Sequence, residues 1–196
     1  MKRTAEVERE TRETRVRVRV ALDGTGRHDV RTGIGFFDHM LAQLAAHGLF
    51  DLEIAAEGDT HVDFHHTVED VGIALGKAFH DALGDRAGIA RYGHALVPMD
   101  EALAQAALDL SGRSHLSYED GIGKGKVGEM DADLFREFFE AFCRSGALTL
   151  HVRVLSGRNA HHMVEAVFKS VARAFRAAVE PDPRRLGVVP STKGAL

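Results

Sequence analysis

HHTVEDVGIALGKAFHDAL, residues 65–83, and HHMVEAVFKSVARAFRAAV, residues 161–179, can be laid over each other without a gap. Eight of the 19 positions are identical: His65/His161, His66/His162, Val68/Val164, Glu69/Glu165, Val71/Val167, Ala78/Ala174, Phe79/Phe175 and Ala82/Ala178. Each copy opens with H-H-x-V-E and runs on with apolar residues at helical spacing, which predicts an amphipathic helix carrying a polar head in its first turn. A pattern that returns after 96 residues marks an internally duplicated chain.

The surrounding segments repeat in order as well. In TRVRVRVAL (14–22), Val16, Val18, Val20 and Leu22 alternate with arginines, the period of a half-buried strand. DGTG (23–26) turns the chain, FFDHMLAQLAAH (36–47) has helical spacing and stops at Gly48, and FDLEIAA (50–56) reads as a strand before the first HHxxE helix. The second half offers strands in 94–99 and 102–112, a helix in 131–143, a strand in 147–155 and the second HHxxE helix. The expected fold is α+β: two homologous lobes, each a β-sheet covered on one face by two helices in β-α-β-α order. Residues 1–196 form a single catalytic domain on this reading, with lobes at about 10–92 and 93–196. The charged arm of residues 1–9 is expected to lack fixed structure, and GIGKGK (121–126) to be a flexible loop between strands.

Composition narrows the function. A hydrophobic content of 44% over 196 residues is enough for a real core, and a formal charge of −4 leaves no footprint for nucleic acid or an anionic membrane as partner. Cys143, the lone cysteine, lies in the apolar run FFEAFC and reads as a buried thiol, which suits a reducing cytoplasm. No apolar run approaches the roughly 18 residues of a membrane span, and the charged N-terminus has no signal-peptide core.

The chemistry lies in the repeated heads. On a helix His65 and Glu69 share a face, while His66 points about 100° away, so adjacent histidines tend to serve different metals or different subunits. Two copies supply His65, His66, Glu69, His161, His162 and Glu165; His39, preceded by Asp38 on its own helix, is a fifth imidazole. Such a set can hold two divalent ions in nitrogen and oxygen shells with positions left open. A lone HH pair at a helix start is more often a cap or surface feature, and the duplication argues against that here. Without cysteine the set suits Mn²⁺, although Zn²⁺, Fe²⁺ or Co²⁺ would bind by affinity alone. PSTKGAL (190–196) can wrap a phosphate or be a frayed tail; Arg91 and Arg113, beside glycines, can grip an oxyanion or simply face solvent. His47, His80, His94, His115 and His151 have no partner pattern and read as surface or satisfied residues. Two rival functions share these features: a binuclear metallohydrolase of phosphate esters, and a metal-stapled structural oligomer.

FFDHML, HVDFHHTVEDVGIALG, DLSGR, LTLHV, NAHHMVEAVFKS and PSTKG together resemble the imidazoleglycerol-phosphate dehydratase family, from about Glu10 to the C-terminus. The resemblance implies a hydro-lyase of histidine biosynthesis that converts imidazole glycerol phosphate to imidazole acetol phosphate through a metal-bound imidazolate and a diazafulvene-like intermediate. It implies two Mn²⁺ per active site, a small-molecule phosphate substrate, and a 24-subunit homo-oligomer with sites between subunits. The implied metal ligands are His39, His65, His66, Glu69, His161, His162 and Glu165. The implied substrate contacts are Glu13, Arg91, Arg113, Ser191 and Lys193, the last four for phosphate. Glu13, Glu69 and Glu165 are the candidate catalytic carboxylates, and the choice of base among them stays open. The chain departs from many relatives at Glu137, where they carry a histidine just before the FF of the second lobe's first helix; Glu137 joins the candidate ligands by its place opposite His39.

Overall fold

The structure, a computed structural model, describes residues 3–196. Strand β2 (Thr14–Ala21) has the alternation expected of it: Val16, Val18 and Val20 are buried and the intervening arginines face solvent. It pairs antiparallel with β1 (Thr4–Glu10) on one side and β4 (Asp51–Gly58) on the other, and the short β3 (His28–Arg31) closes the sheet parallel to β4. The second sheet has the same plan: β5 (Tyr92–Met99), β6 (Ala102–Asp109), β10 (Thr149–Ser156) and, parallel to it at the edge, β7 (His115–Glu119). Each lobe therefore contains the expected elements and adds edge strands that the sequence pattern did not mark.

Strand β1 corrects the reading of the N-terminal arm. The charge of TAEVERE suggested an arm without fixed structure, but its glutamates fall opposite the arginines of β2, with Glu6 opposite Arg19, Glu8 opposite Arg17 and Glu10 opposite Arg15. Opposite charges directly across two strands favour pairing. On the inner side, Arg9 donates to Asp70 at 2.9 Å and the Thr14 hydroxyl donates to the same buried carboxylate. The first sheet thus begins at Thr4, ahead of the boundary near residue 10.

Helices α1 (Gly35–Gly48) and α2 (His65–Leu83) lie on the first sheet, and α3 (Asp133–Gly146) and α4 (Ala160–Val179) on the second. Helix α2 packs along α3 and α1 along α4, so the two helical faces meet and the lobes share one hydrophobic cluster. Phenylalanines fill that seam edge to face, as between Phe37 and Phe138 and between Phe79 and Phe175. The close approach of α2 to α3 depends on Gly72 and Gly76: a Cβ at Gly72 would lie 2.7 Å from the Phe138 carbonyl oxygen, and one at Gly76 would overlap that of Phe142. Cys143 is buried in this seam, and burial pushes its thiol up to about 12. The loop expected over 121–126 ends at Gly125, because Lys126 opens a hairpin of the second lobe, β8 (Lys126–Val127) and β9 (Met130–Asp131), anchored by buried Val127 and Met130. Among the described residues, no helix is long and apolar enough to cross a membrane.

Candidate metal centre and anion pocket

Both HH pairs sit in a first helical turn that a side chain holds in place. Asn159 accepts the His161 backbone N–H at 3.0 Å, and Asp63 accepts that of His65 at 2.8 Å. His39 is set by α1, whose start is tied back by Asp38 accepting from the Thr32 N–H and hydroxyl at 2.8 and 2.6 Å. Since α1 lies along α4, His39 meets the second head: Glu165 Oε2 stands 3.3 Å from His39 Nε2 and 3.2 Å from His161 Nε2.

These three residues are the one group of metal-capable donors among the described residues, with ligand atoms all within 4.8 Å of one another. Glu165 is only 6% exposed, and Lys169, one turn along α4, lies against its other oxygen. Burial pushes the Glu165 carboxyl up, but Lys169 and then His39 favour the anion more strongly and hold it below the usual carboxylate range. Phe36 walls the group, its ring edge-on to His161 at 5.0 Å. Two imidazole nitrogens around one ionised carboxylate oxygen, already at the spacing of neighbouring ligands, fit a small divalent cation of the Mn²⁺ or Zn²⁺ kind.

The remaining candidate ligands lie outside this trio. Glu69 accepts from Arg144 of α3 at 2.9 Å, and the half-buried Glu137 stands on α3 where His39 stands on α1. His66 Nδ1 donates to Asp59 at 3.0 Å, which raises its pKa, and His162 Nδ1 donates to Glu101 at 2.8 Å with the same result. Glu101 is held at about 2, first by His162 and then by the Asn159 N–H. Glu13 reaches the first head through its backbone, its carbonyl accepting the Asp59 N–H at 3.1 Å. Asp59 and Glu101 escaped the sequence reading, since an isolated acidic residue in a turn has no spacing that gives it away.

The phosphate candidates do come together. A cavity of about 730 Å³ is lined by Arg91, Arg113, Ser191 and Lys193, and also by Arg184 and Arg185, which the sequence reading passed over. Arg91 is positioned at φ 73°, donating to Asp109 at 2.7 and 3.2 Å and to the Pro190 carbonyl at 2.7 Å. The Lys193 N–H donates to Ser191 Oγ at 3.2 Å, curling the C-terminal segment around the cavity. The Arg91 N–H donates to the Ala178 carbonyl near the end of α4, whereas His161 lies at its start. Seventeen residues at 1.5 Å rise put about 25 Å between those points. One chain therefore keeps its trio of metal-capable donors and its arginine-lined cavity at opposite ends of a helix.

Residues 32–175 match the family model described as imidazoleglycerol-phosphate dehydratase. A protein of that name from Gluconacetobacter diazotrophicus is 58% identical over 194 residues, covering 99% of this chain and 98% of its own. One from Granulibacter bethesdensis is 58% identical over 196 residues and covers all of both chains. Among solved structures, the imidazoleglycerol-phosphate dehydratase of Staphylococcus aureus superposes with a TM-score of 0.82 at 35% identity, covering 91% of this chain and 99% of that one. The Pyrococcus furiosus enzyme, in complex with (S)-C348, superposes with a TM-score of 0.81 at 33% identity, covering 97% of this chain and 100% of that one.

Proposed function

The chain belongs to the imidazoleglycerol-phosphate dehydratase family, the hydro-lyases of histidine biosynthesis, and from that premise we propose how its residues divide the work. Two divalent cations, Mn²⁺ by the chemistry of the donors, would be held by His39, His161 and Glu165 together with His65, His66, Glu69 and His162, with Glu137 as a further oxygen donor opposite His39. When bound they supply Lewis acidity to the imidazole ring of the substrate.

The protein side of the reaction is positioning and proton handling. Arg91, Arg113, Ser191 and Lys193 fix the phosphate end, which sets the carbon bearing the departing hydroxyl against the metal-binding heads of another subunit. The carbon next to it gives up a proton, and Glu13, beside the first head, is a base or hydroxyl contact for that step, with Glu69 and Glu165 as the other candidates. The hydroxyl and that proton are lost overall as one water, and the enol that remains becomes the ketone of imidazole acetol phosphate.

The observation that carries this reading is the convergence of His39, His161 and Glu165 from two helices that the repeat alone would not have joined. The length of α4 between the trio and the anion pocket exceeds what a three-carbon phosphate spans, which supports a site completed by another subunit and hence a homo-oligomer, read as a 24-mer on the family resemblance. All 196 residues are read as one catalytic domain. The test is turnover of imidazole glycerol phosphate by chelator-stripped protein with and without Mn²⁺, following both imidazole acetol phosphate and free phosphate. The expected result is Mn²⁺-dependent ketone without phosphate release. Phosphate release would move the chain to a hydrolase mechanism, and metal-dependent assembly without turnover would make the heads structural staples.

A further inference from the structure

The second histidine of each head is oriented by a carboxylate, and the two carboxylates come from different places. In the first lobe it is Asp59, the residue after β4, at 3.2 and 3.0 Å from His66 Nδ1. The residue after β10 is Gly157, which has no side chain to offer. In the second lobe Glu101, in the turn between β5 and β6, takes the place of Asp59, with Oε2 at 2.8 Å from His162 Nδ1. Its other oxygen accepts the backbone N–H groups of Arg158 at 3.2 Å and Asn159 at 2.8 Å, so the carboxylate cannot swing away without releasing the entry to α4. Asp100 is 3.9 Å from His162 Nε2, beyond hydrogen-bond reach.

Glu101 has a counterpart in the first lobe. Thr4 and Tyr92, Thr14 and Ala102, which begin the paired strands, are each 88 residues apart, and so are Glu13 and Glu101. With Asp59 orienting His66, the Glu13 carboxylate takes no side-chain hydrogen bond among the described residues. The same turn position thus serves orientation in one lobe and stands free for the substrate in the other.

We propose that Glu101 is a positioning residue of the metal centre, holding His162 as the Nδ1–H tautomer so that Nε2 presents its lone pair to a metal ion. An ionised carboxylate can only accept, so a hydrogen bond from Nδ1 leaves Nε2 as the unprotonated nitrogen of a neutral ring. Residues that orient metal-bound histidines in this way commonly change affinity by roughly 10- to 100-fold when lost. The proposal rests on His162 being a metal ligand.

Glu101→Gln separates orientation from loop structure. The glutamine carbonyl keeps the two backbone hydrogen bonds, while its NH₂ now faces Nδ1 and requires that nitrogen to accept, which moves the ring proton to Nε2. In ¹⁵N-histidine-labelled, metal-free protein the His162 ring is expected to change from the Nδ1–H to the Nε2–H form, with the far-ultraviolet circular dichroism unchanged. Mn²⁺ affinity, read from free Mn²⁺ by electron paramagnetic resonance, is expected to fall roughly 10- to 100-fold. If His162→Ala weakens Mn²⁺ binding while Glu101→Gln binds like the parent protein, the positioning role is overturned and the ligand role stands. If His162→Ala also binds Mn²⁺ like the parent protein, His162 is not a ligand and both fall.

Discussion

Glu69 and Glu165 occupy the same position of the same helix in the two lobes, and the chain surrounds them differently. Glu165 is nearly buried between His39, His161 and Lys169, whereas Glu69 is partly open and bound to Arg144 of α3. The cause lies in the neighbouring helices: α1 presents His39 to the second head, and α3 presents Glu137 at the matching place. The duplication therefore produced two scaffolds of one design and two heads that are not interchangeable. The first head, which joins no cluster of metal-capable donors among the described residues, has donors left to offer to another chain.

The largest effects are expected from breaking the two heads separately and together. His65→Ala and His161→Ala should each lower turnover by more than the roughly 10- to 100-fold that loss of a residue supporting a metal ligand costs, because on the proposed two-ion site each removes a ligand itself. If a site draws its heads from different chains, mixing the two inactive variants in metal-free form and adding Mn²⁺ should restore about one quarter of the activity, as random assembly leaves that share of sites with both histidines. No recovery in mixed assemblies, checked by mass, would mean that both heads act within one chain.

Next in size is the packing that sets the heads apart. Gly72 and Gly76 let α2 lie against α3, and the matching residues of α4, against α1, are Phe168 and Ala172. Gly76→Ala should destabilise the protein by about 2–3 kcal/mol, since the added methyl meets the backbone of Phe142 and cannot be relieved by a side-chain rotation. Ala172→Gly in the other lobe should cost about 1–2 kcal/mol, through helix propensity and the loss of one buried methyl group, with no clash to relieve. Denaturant midpoints compare the two, and equal losses would show that the helix pairs pack with the same tolerance.

The lobes also differed in how much their sequences disclosed. The HHxxE helices and β2 were legible because burial on one face gave them a clear period, and helix period gave α1 and α3 as well. Strand β1 was hidden because only Ala5 and Val7 of its inner residues are apolar, and the arginines that neutralise its glutamates belong to the next strand. The edge strands β3 and β7 are four and five residues long, too short to establish a period. In the site, the histidines and glutamates stood out through repetition. Which of them meet was decided by α1 crossing onto α4, a tertiary fact with no trace in spacing. Asp59, Glu101, Arg184 and Arg185 each occur once, in turns or loops, and repetition could not reveal them.

A smaller effect separates the lobes by pH. Asp51 of β4 is held down to about 2, first by Arg27 and then by the Thr25 N–H, while its counterpart in β10, Thr149, does not titrate. A carboxylate with a depressed folded pKa stabilises the protein above its unfolded value near 4, and that contribution is lost as the pH falls through 2. Asp51→Asn should therefore cost about 1 kcal/mol at pH 6, after allowance for solvent screening, and little at pH 2. A penalty that stays constant across this range would assign the role of Asp51 to its hydrogen bonds to Thr25 and Arg27 rather than to its charge.

The smallest expected effect concerns the outer faces of the two sheets, where the divergence is greatest. Arg15, Arg17 and Arg19 of β2 stand where β6 carries Leu103, Gln105 and Ala107, and Glu8 and Glu57 stand where the second sheet exposes Leu96 and Leu155, at 58% and 48%. Arg19 donates to Glu6 at 2.9 Å and to Glu53 at 3.3 Å, joining three strands of the first sheet across its surface. All three side chains are in water, where ion pairs of this kind add little and 1 M salt shortens the screening length to about 3 Å. Arg19→Ala, which reproduces the residue of the second lobe, should thus move the denaturant midpoint only slightly at low salt and not at all at 1 M. The same substitution sharpens the comparison if the proposed homo-oligomer is weighed as well. Should the Arg19→Ala protein fold normally yet fall apart into smaller units, the charged face holds subunits together, and its arginines are tied across the sheet for the sake of a partner rather than of the fold.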